Sequence, residues 1–572
     1  MKPASTARGA IRLLVTVVAA LPAFGPVQAG SKAAPSAGPF ERFMVLSRPG
    51  GARTVMVGLP IRVAIGLAVE QQQVVVTGAG RFEARIGRTV VRARPGERWT
   101  VRRVAGRAAR VEHLVVVQRF SPAEAAQAQR LVAGLRARGH DAGVVAVGLR
   151  LLIPGPASSA RADGLGSQRI LGDGRTVLVH VGRLASEARA RERIDRLSAA
   201  GGRPWHHEFV AAPQDGVVAL IGPDRRERGR ARAVTFGSAS PLVLLESGAG
   251  PDGSSRPRPP RSYEGAIHVV FDRKGLLATV NEINLERYLK GVVPAEIPAS
   301  DPPQAIRALA VAARSEALAK LARGHGGQPF DLCWDQHCQA YAGLERVAPS
   351  TNVGVDATRG QVVQRGGSLV EAVYCDTCGG HTESIENVWS ASPNPSLVGV
   401  LDGPSSRSSG QAPSESTLGR WLSTRPPAFC RGPESSPNPR YRWTVEMSGA
   451  QLDWLVNRSF PVGSVRELVP LERGVSGRIK LLGVVGDRGR TVIHKELPIR
   501  KALGDLMSAL FVVDASRGAD GRVVSWRFRG AGWGHGVGLC QVGSRWAARA
   551  GFGYRAILAH DYRGTTMARL YR

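Results

Sequence analysis

Val280-Asn281-Glu282-Ile283-Asn284-Leu285-Glu286-Arg287-Tyr288-Leu289-Lys290-Gly291-Val292-Val293-Pro294-Ala295-Glu296-Ile297-Pro298 is the stretch on which the reading of this chain turns. It sets one carboxylate, Glu296, among Val292, Val293, Pro294 and Ile297. Apolar neighbours withdraw water from a carboxyl group and so favour its protonated form. A carboxyl that holds its proton near neutral pH is what a general acid requires. Composition alone equally allows a solvated loop glutamate. Just beyond it a helix is well marked: Asp301 suits the cap, Pro302 the first turn, and Gln304 completes a box-like start. Ile306, Leu309, Ala313, Ala317 and Leu321 then fall on one face, expected to pack inward.

Upstream the pattern is different. Short apolar alternations over 54–112, such as Ile61–Ile65 and Gln73–Val76, are separated by glycines and read as a β-rich unit. The period then changes. A strand at Leu114–Val117 is followed by a helix over Pro122–Arg138, with Ser121 as cap and Gly139 as stop, and a strand at Ala142–Val147. The same order recurs as a strand at Val177–Val181, a helix over Ser186–Ala200 and a strand at Trp205–Val210. Two βαβ units of like length imply an internal repeat. Residues 30–53 and the Pro/Gly-rich end of 213–261 read as linkers, and a loop-rich patch runs over 402–440. The fold class expected is α+β: a β-rich catalytic domain over 262–572 whose start lies in 54–112, with a ferredoxin-like βαβ-βαβ module inserted over 113–212.

Two further segments carry chemistry. Cys333, His337 and Cys338 lie within six residues and offer three zinc ligands, with His325 upstream as a fourth. A disulfide between Cys333 and Cys338 is the rival in an exported chain. Six cysteines fit three pairs, or one zinc site plus two disulfides drawn from Cys375, Cys378, Cys430 and Cys540 in an order the spacing does not choose. Gly532-Trp533-Gly534-His535-Gly536 could let backbone approach a sugar, with Trp533 as an apolar platform and His535 as a polar handle.

Five ordered motifs resemble the SpoIID/LytB family. They are Leu285–Val293 running through Glu296-Ile297-Pro298, Gln304–Ser315, Cys338–Gly343, Cys378–Glu383 and Gly532–Gly543. The resemblance implies a peptidoglycan lytic transglycosylase acting on denuded glycan strands, with Glu296 catalytic. It also implies a substrate cleft that includes Arg314, Gln339, Tyr341, Gly379, Gly380, Trp533, His535 and Gln541, and one structural zinc on His325, Cys333, His337 and Cys338. No organic cofactor is implied. Where relatives carry an aromatic residue, this chain has Glu316, so contacts there are expected to differ. LytB-type relatives are thought to enhance a separate amidase, which leaves a non-catalytic enhancer or wall-binding role as the alternative. Val117-Gln118-Arg119-Phe120 and Val181-Gly182-Arg183-Leu184 are similar to the strand ends of SPOR domains, implying glycan binding by the 113–212 module.

The N-terminus reads as an export signal. Lys2, Arg8 and Arg12 precede the apolar run Leu13–Phe24, and Val27-Gln28-Ala29 supplies small residues for cleavage after position 29. The expected location is the periplasm or the extracellular space, wall-associated, with no transmembrane segment after cleavage. The net charge of +31 is spread along the chain, without zinc-finger or helix-turn-helix spacing. With export, this excludes nucleic acid and favours anionic wall polymers or membrane surfaces as partners; genome composition is the bland explanation of the arginines.

Overall fold

The computed structural model describes residues 53–56, 60–154, 168–173, 175–202, 204–245, 259–321, 325–389, 393–403 and 414–572. The export signal, almost all of the 30–53 linker, most of 248–261 and the Gly/Ser-rich loop within 155–167 lie outside the described residues. All described residues belong to one compact unit, Pro39–Arg572. Among them no helix is long and apolar enough to cross a membrane.

Two sheets share one core. A seven-stranded sheet runs in the order Leu332–Cys333, Arg62–Gln71, Leu277–Asn284, Ala266–Phe271, Val234–Ser238, Phe82–Ile86 and Thr89–Ala93. A six-stranded sheet runs Glu227–Ala231, Asp215–Ile221, Trp99–Arg107, Gln73–Gly78, Leu242–Leu244 and Arg261–Tyr263. Strands from before and after the 113–212 segment therefore interleave. Ile65 faces Asn281 and Ala64 faces Glu282 across one antiparallel ladder. Arg62–Gln71 is buried along nearly its whole length, as expected for a strand covered on both faces.

The segment between them forms its own four-stranded sheet, ordered Trp205–Ala212, Arg110–Phe120, Thr176–Leu184 and Ala142–Val147, with antiparallel neighbours. Helices Ala125–Ala137 and Glu187–Ala199 pack on it through Ala128, Val132, Leu135 and Ala190. Ser121 and Glu124 form the capping box of the 3-10 turn Pro122–Glu124 that leads into the first helix, and Ser186 accepts the Arg189 amide at the start of the second. An additional sheet pairs Arg53–Met56 in parallel with Leu149–Pro154, so the expected linker ends in a strand.

The helices that matter to the site follow the central ladder. Asn284 ends a strand and caps helix α1, Leu285–Glu296, accepting the Glu286 and Arg287 amides at 2.9 and 3.3 Å. Helix α2, Pro303–Leu321, is buried on more than the expected face, from Ala305 through Leu318 with little interruption. Its start corrects the sequence reading in two ways. Asp301 gives its carboxylate to Arg545 at 2.6 Å instead of capping, and Gln304 accepts the Tyr554 amide. Both side chains are claimed by residues some 240 positions away, which no local rule anticipates.

The chain then leaves this core and returns. Tyr374–Cys375 lies parallel to Leu539–Cys540, and Gln361–Arg365 pairs with Thr566–Arg569 near the C-terminus. Between those pairings, Trp443–Ser448, Val523–Gly530 and Phe511–Arg517 form one three-stranded sheet. Val465–Arg473, Ile479–Gly486 and Arg490–His494 form another. They close over a separate core of Leu452, Val456, Leu482, Phe511 and Phe528. After the return, helix α3 runs Gln541–Arg549 and packs on α2.

Candidate active site and metal-ligand clusters

Glu296 is the last residue of α1, not a loop residue ahead of a helix. Prolines at 294 and 298 hid that helix, since proline in a last turn removes one ladder bond but need not end the helix at once. Position matters for chemistry. The half-buried carboxylate stands at the negative end of a helix, where the macrodipole opposes ionisation. Its Oε1 accepts the Ala340 amide at 2.7 Å and its Oε2 accepts Gln541 Nε2 at 3.1 Å. Burial pushes its pKa above the usual glutamate range, and the bonds from Ala340 and Gln541, with the neighbouring Tyr374 hydroxyl, offset only part of that shift. Lys320 also acts to lower it.

Three elements thus converge on one carboxyl group: the end of α1, the loop after Cys338 and the first residue of α3. From Tyr374 the chain continues to Thr377, whose carbonyl accepts the Trp533 amide at 2.8 Å. Three residues span no more than about 11 Å, and the Tyr374 carbonyl bears on the His535 ring, so the Gly-Trp-Gly-His loop is a neighbour of Tyr374. Trp533 is 38% exposed, with the Arg440 guanidinium 4.0 Å above its ring. Trp389, which the sequence did not single out, is 44% exposed and lies 4.7 Å from the His535 ring. Exposed indoles on this loop and beside its histidine suit the apolar faces of pyranose rings.

His535 is not a proton-transfer group. Its Nδ1 accepts the Val537 amide at 3.0 Å. Burial, with Arg478 nearby, drives its pKa down to about 3, against a small raising effect from the Tyr374 carbonyl. The ring is neutral and pins the loop. Two glycines of that loop also face inward. A Cβ on Gly536, at φ +79°, would stand 2.3 Å from the Arg478 guanidinium carbon, and one on Gly532 would meet the Thr377 carbonyl at 2.7 Å. These two permit close packing of protein on protein, whereas a Cβ on Gly534 would meet only Cys375 Cβ at 3.7 Å.

Other expected cleft residues are interior. Arg314 is wholly buried and forks onto Glu286 at 2.8 and 2.7 Å, with further bonds to the Ala310, Val355 and Gln361 carbonyls. Every donor direction is used, so it is a scaffold residue. Gln339 accepts the Tyr374 hydroxyl at 2.8 Å and donates to the Ala313 carbonyl. It fixes Tyr374 beside Glu296. Tyr341 donates to Asn281 and packs against Tyr288 and Tyr263. Gly379 and Gly380 are buried at φ +81° and +108°, against Ala531 and Tyr441. Glu316 is buried in an ion pair with Lys320 at 2.6 Å, and burial raises its pKa to about 7. A polar side chain long enough to reach a cleft was legible in sequence; its direction was not.

The Cys/His segment gathers as its spacing suggests. One donor atom each from His325, Cys333, His337 and Cys338 lies within 4.8 Å of all the others. The His337 Nδ1 is 3.4 Å from Cys333 Sγ and 3.6 Å from Cys338 Sγ. His325 Nε2 is buried without a hydrogen-bond partner, as a ligand nitrogen would be. Two sulfurs and two imidazoles fit a tetrahedral zinc ion. All six cysteines are buried free thiols, so no disulfide stands at either candidate position. A second gathering joins Cys378, Asp402, Cys430 and Cys540, again within 4.8 Å.

Residues 273–364 match the family model described as "Stage II sporulation protein", and residues 383–538 one described as "Domain of unknown function (DUF8618)". The second match coincides with the excursion between the Tyr374–Cys375 and Leu539–Cys540 strands. An uncharacterized protein of Brachyspira hyodysenteriae is 35% identical over 127 residues, covering 22% of this chain and 34% of its own length. The "Amidase enhancer" of Bacillus subtilis is 27% identical over 348 residues, 54% of this chain and 46% of its own. "Stage II sporulation protein D" of the same organism is 26% identical over 308 residues, 51% of this chain and 76% of its own. The chain thus spans about a third and under half of the first two relatives.

Proposed function

The chain is a member of the SpoIID/LytB family, and from that premise we propose that it is an exported peptidoglycan lytic transglycosylase with Glu296 as acid and base. The observation that carries this reading is the Glu296 carboxyl itself: burial holds its pKa above the ordinary range, against the bonds it accepts from Ala340 and Gln541. The substrate is a denuded glycan strand. Protonated Glu296 gives its proton to the glycosidic oxygen between N-acetylmuramic acid and N-acetylglucosamine, the bond to C1 breaks, and an oxocarbenium-like centre forms. The resulting carboxylate takes the proton of the muramic O6, which bonds to C1 and closes the 1,6-anhydro ring. The proton balance returns to its start, and no second carboxylate is needed. Gln541 and the Ala340 amide hold the carboxylate while it is charged.

His325, Cys333, His337 and Cys338 would hold a structural zinc ion whose four protein ligands leave no open position for substrate. Cys338 lies two residues before Ala340, so that ion would fix the amide that faces Glu296. The four-stranded module over 113–212 has the strand order expected of a ferredoxin-like βαβ-βαβ fold, which supports reading it as a glycan-binding, SPOR-like attachment.

The similarity to a protein named "Amidase enhancer" favours a second reading, in which the chain stimulates a separate peptidoglycan amidase. Mass analysis of products from peptide-free glycan separates the two. The transglycosylase yields anhydro-ended fragments from the purified chain alone, and Glu296→Gln yields none. A purified chain that releases no fragments, yet speeds an amidase equally well with or without Glu296, would establish the enhancer instead.

A further inference from the structure

Cys378, Asp402, Cys430 and Cys540 come from four separate chain segments and bury their donor atoms together. Their exposures are 0%, 3%, 0% and 1%. The Sγ atoms of Cys378 and Cys430 are 3.5 Å apart, and Cys378 Sγ is 3.3 Å from Asp402 Oδ2. Metal–sulfur bonds of about 2.3 Å imply tetrahedron edges of about 3.8 Å. All donors lie within 4.8 Å of one another, so a small inward movement closes the shell.

Backbone amides point at the donor atoms of this cluster. Cys540 caps α3 and its sulfur accepts the Gly543 amide at 3.3 Å and the Cys378 amide at 3.2 Å. Cys378 Sγ accepts the Gly380 amide at 3.4 Å, and Asp402 Oδ2 accepts the Cys430 amide at 2.8 Å. Amide donors around sulfur compensate metal-bound thiolates. Asp402 makes the strongest case. It adds an oxygen donor to the three sulfurs, and among the described residues no lysine, arginine or histidine ion-pairs with it, so its place as an anionic ligand is open to a cation.

Paired disulfides are the rival, Cys378 with Cys430 and Cys375 with its strand neighbour Cys540. They require Cys375, whose sulfur stands outside the four-donor set, and they leave Asp402 no role in the cluster.

We infer that Cys378, Cys430, Cys540 and Asp402 form a second, structural site for a thiophilic divalent cation of the zinc class. It would clamp the loop after Tyr374 and the excursion over 383–538 to the start of α3. Cys540 precedes Gln541, so the same clamp sets the residue that faces Glu296. The inference does not depend on the reaction assigned to Glu296.

The test uses the full-length chain purified without chelator, with zinc as the probe. Elemental analysis is expected to give two zinc ions per chain. Cys333→Ser with Cys338→Ser, which removes the other cluster, should leave one, and Cys375→Ser should leave both. Cobalt substituted into the Cys333/Cys338 variant should show sulfur-to-metal charge-transfer absorption, lost on further Cys430→Ser. Because such variants can fail to fold, the unmutated chain supplies an independent readout. Alkylated in denaturant and chelator without reductant, it should take up one group on each of its six cysteines. Uptake on only two cysteines, or no metal in the Cys333/Cys338 variant while it remains folded, would overturn the site.

Discussion

A glutamate placed last on a helix, half out of water and facing an amide and a carboxamide, is pulled in opposite directions, with burial the stronger pull. Burial and the helix end favour the acid; the Ala340 and Gln541 bonds favour the carboxylate. Because the folded pKa is raised above the unfolded value of about 4.3, ionising Glu296 opposes folding. Its effect on stability is absent at low pH and grows as pH rises through the folded pKa. Glu296→Gln should therefore abolish turnover while keeping or raising the melting temperature at neutral pH, as calorimetry beside product analysis will show. Gln541→Leu removes a donor that serves the charged form. The alkaline limb of the kcat/KM profile should then move upward, and a limb that moves downward would assign Gln541 a different role.

At the scale of elements, α1 and α2 are joined by the buried pair of Glu286 and Arg314. Burial works to raise the Glu286 pKa, but the Arg314 fork, Tyr571 and the Gly360 amide outweigh it and the net shift is downward. That contribution is complete above the ordinary glutamate range and is lost as pH falls through the depressed value. Arg314→Met leaves the Glu286 charge unpaired in the core and should cost about 3–5 kcal/mol, measured by urea unfolding at neutral pH. Loss of the same size at acidic pH, where Glu286 is protonated, would contradict this assignment. The arginine was visible in its motif, yet its role was not. Spacing puts Arg314 on α2, whereas the opposing carboxylate comes from α1 and the carbonyls from 355 and 361.

For the whole molecule, two excursions leave one β core at points where its strands already pair. Arg107 faces Asp215 in register, so a short turn there can replace the intervening module without breaking the ladder. A chain lacking residues 109–213 should fold, keep Glu296-dependent cleavage of soluble glycan and lose most of its pelleting with denuded sacculi. Pelleting retained in full would remove the module from wall binding. Zinc withdrawal acts on the same scale. A strong chelator should lower the melting temperature by several degrees or more, since metal binding contributes directly to folding free energy, and readded zinc should restore it. An unchanged melting temperature in a chain shown to lose its metal would contradict a structural role for the ion.

The sequence by itself determined the local features: the strand alternations, the helix starts at Ser121 and Ser186, the Cys/His spacing and the glutamate in its apolar run. Each depends on neighbours a few residues apart, where propensity and capping act. Tertiary structure alone decided that Glu296 ends a helix and meets Gln541 from 245 positions away. It also decided that Arg314, Gln339 and Tyr341 turn inward, that Trp389 joins His535, and that three distant cysteines meet Asp402. The reason is physical: the type of a polar side chain fixes what it can bond, but only the packed core fixes which partner it reaches.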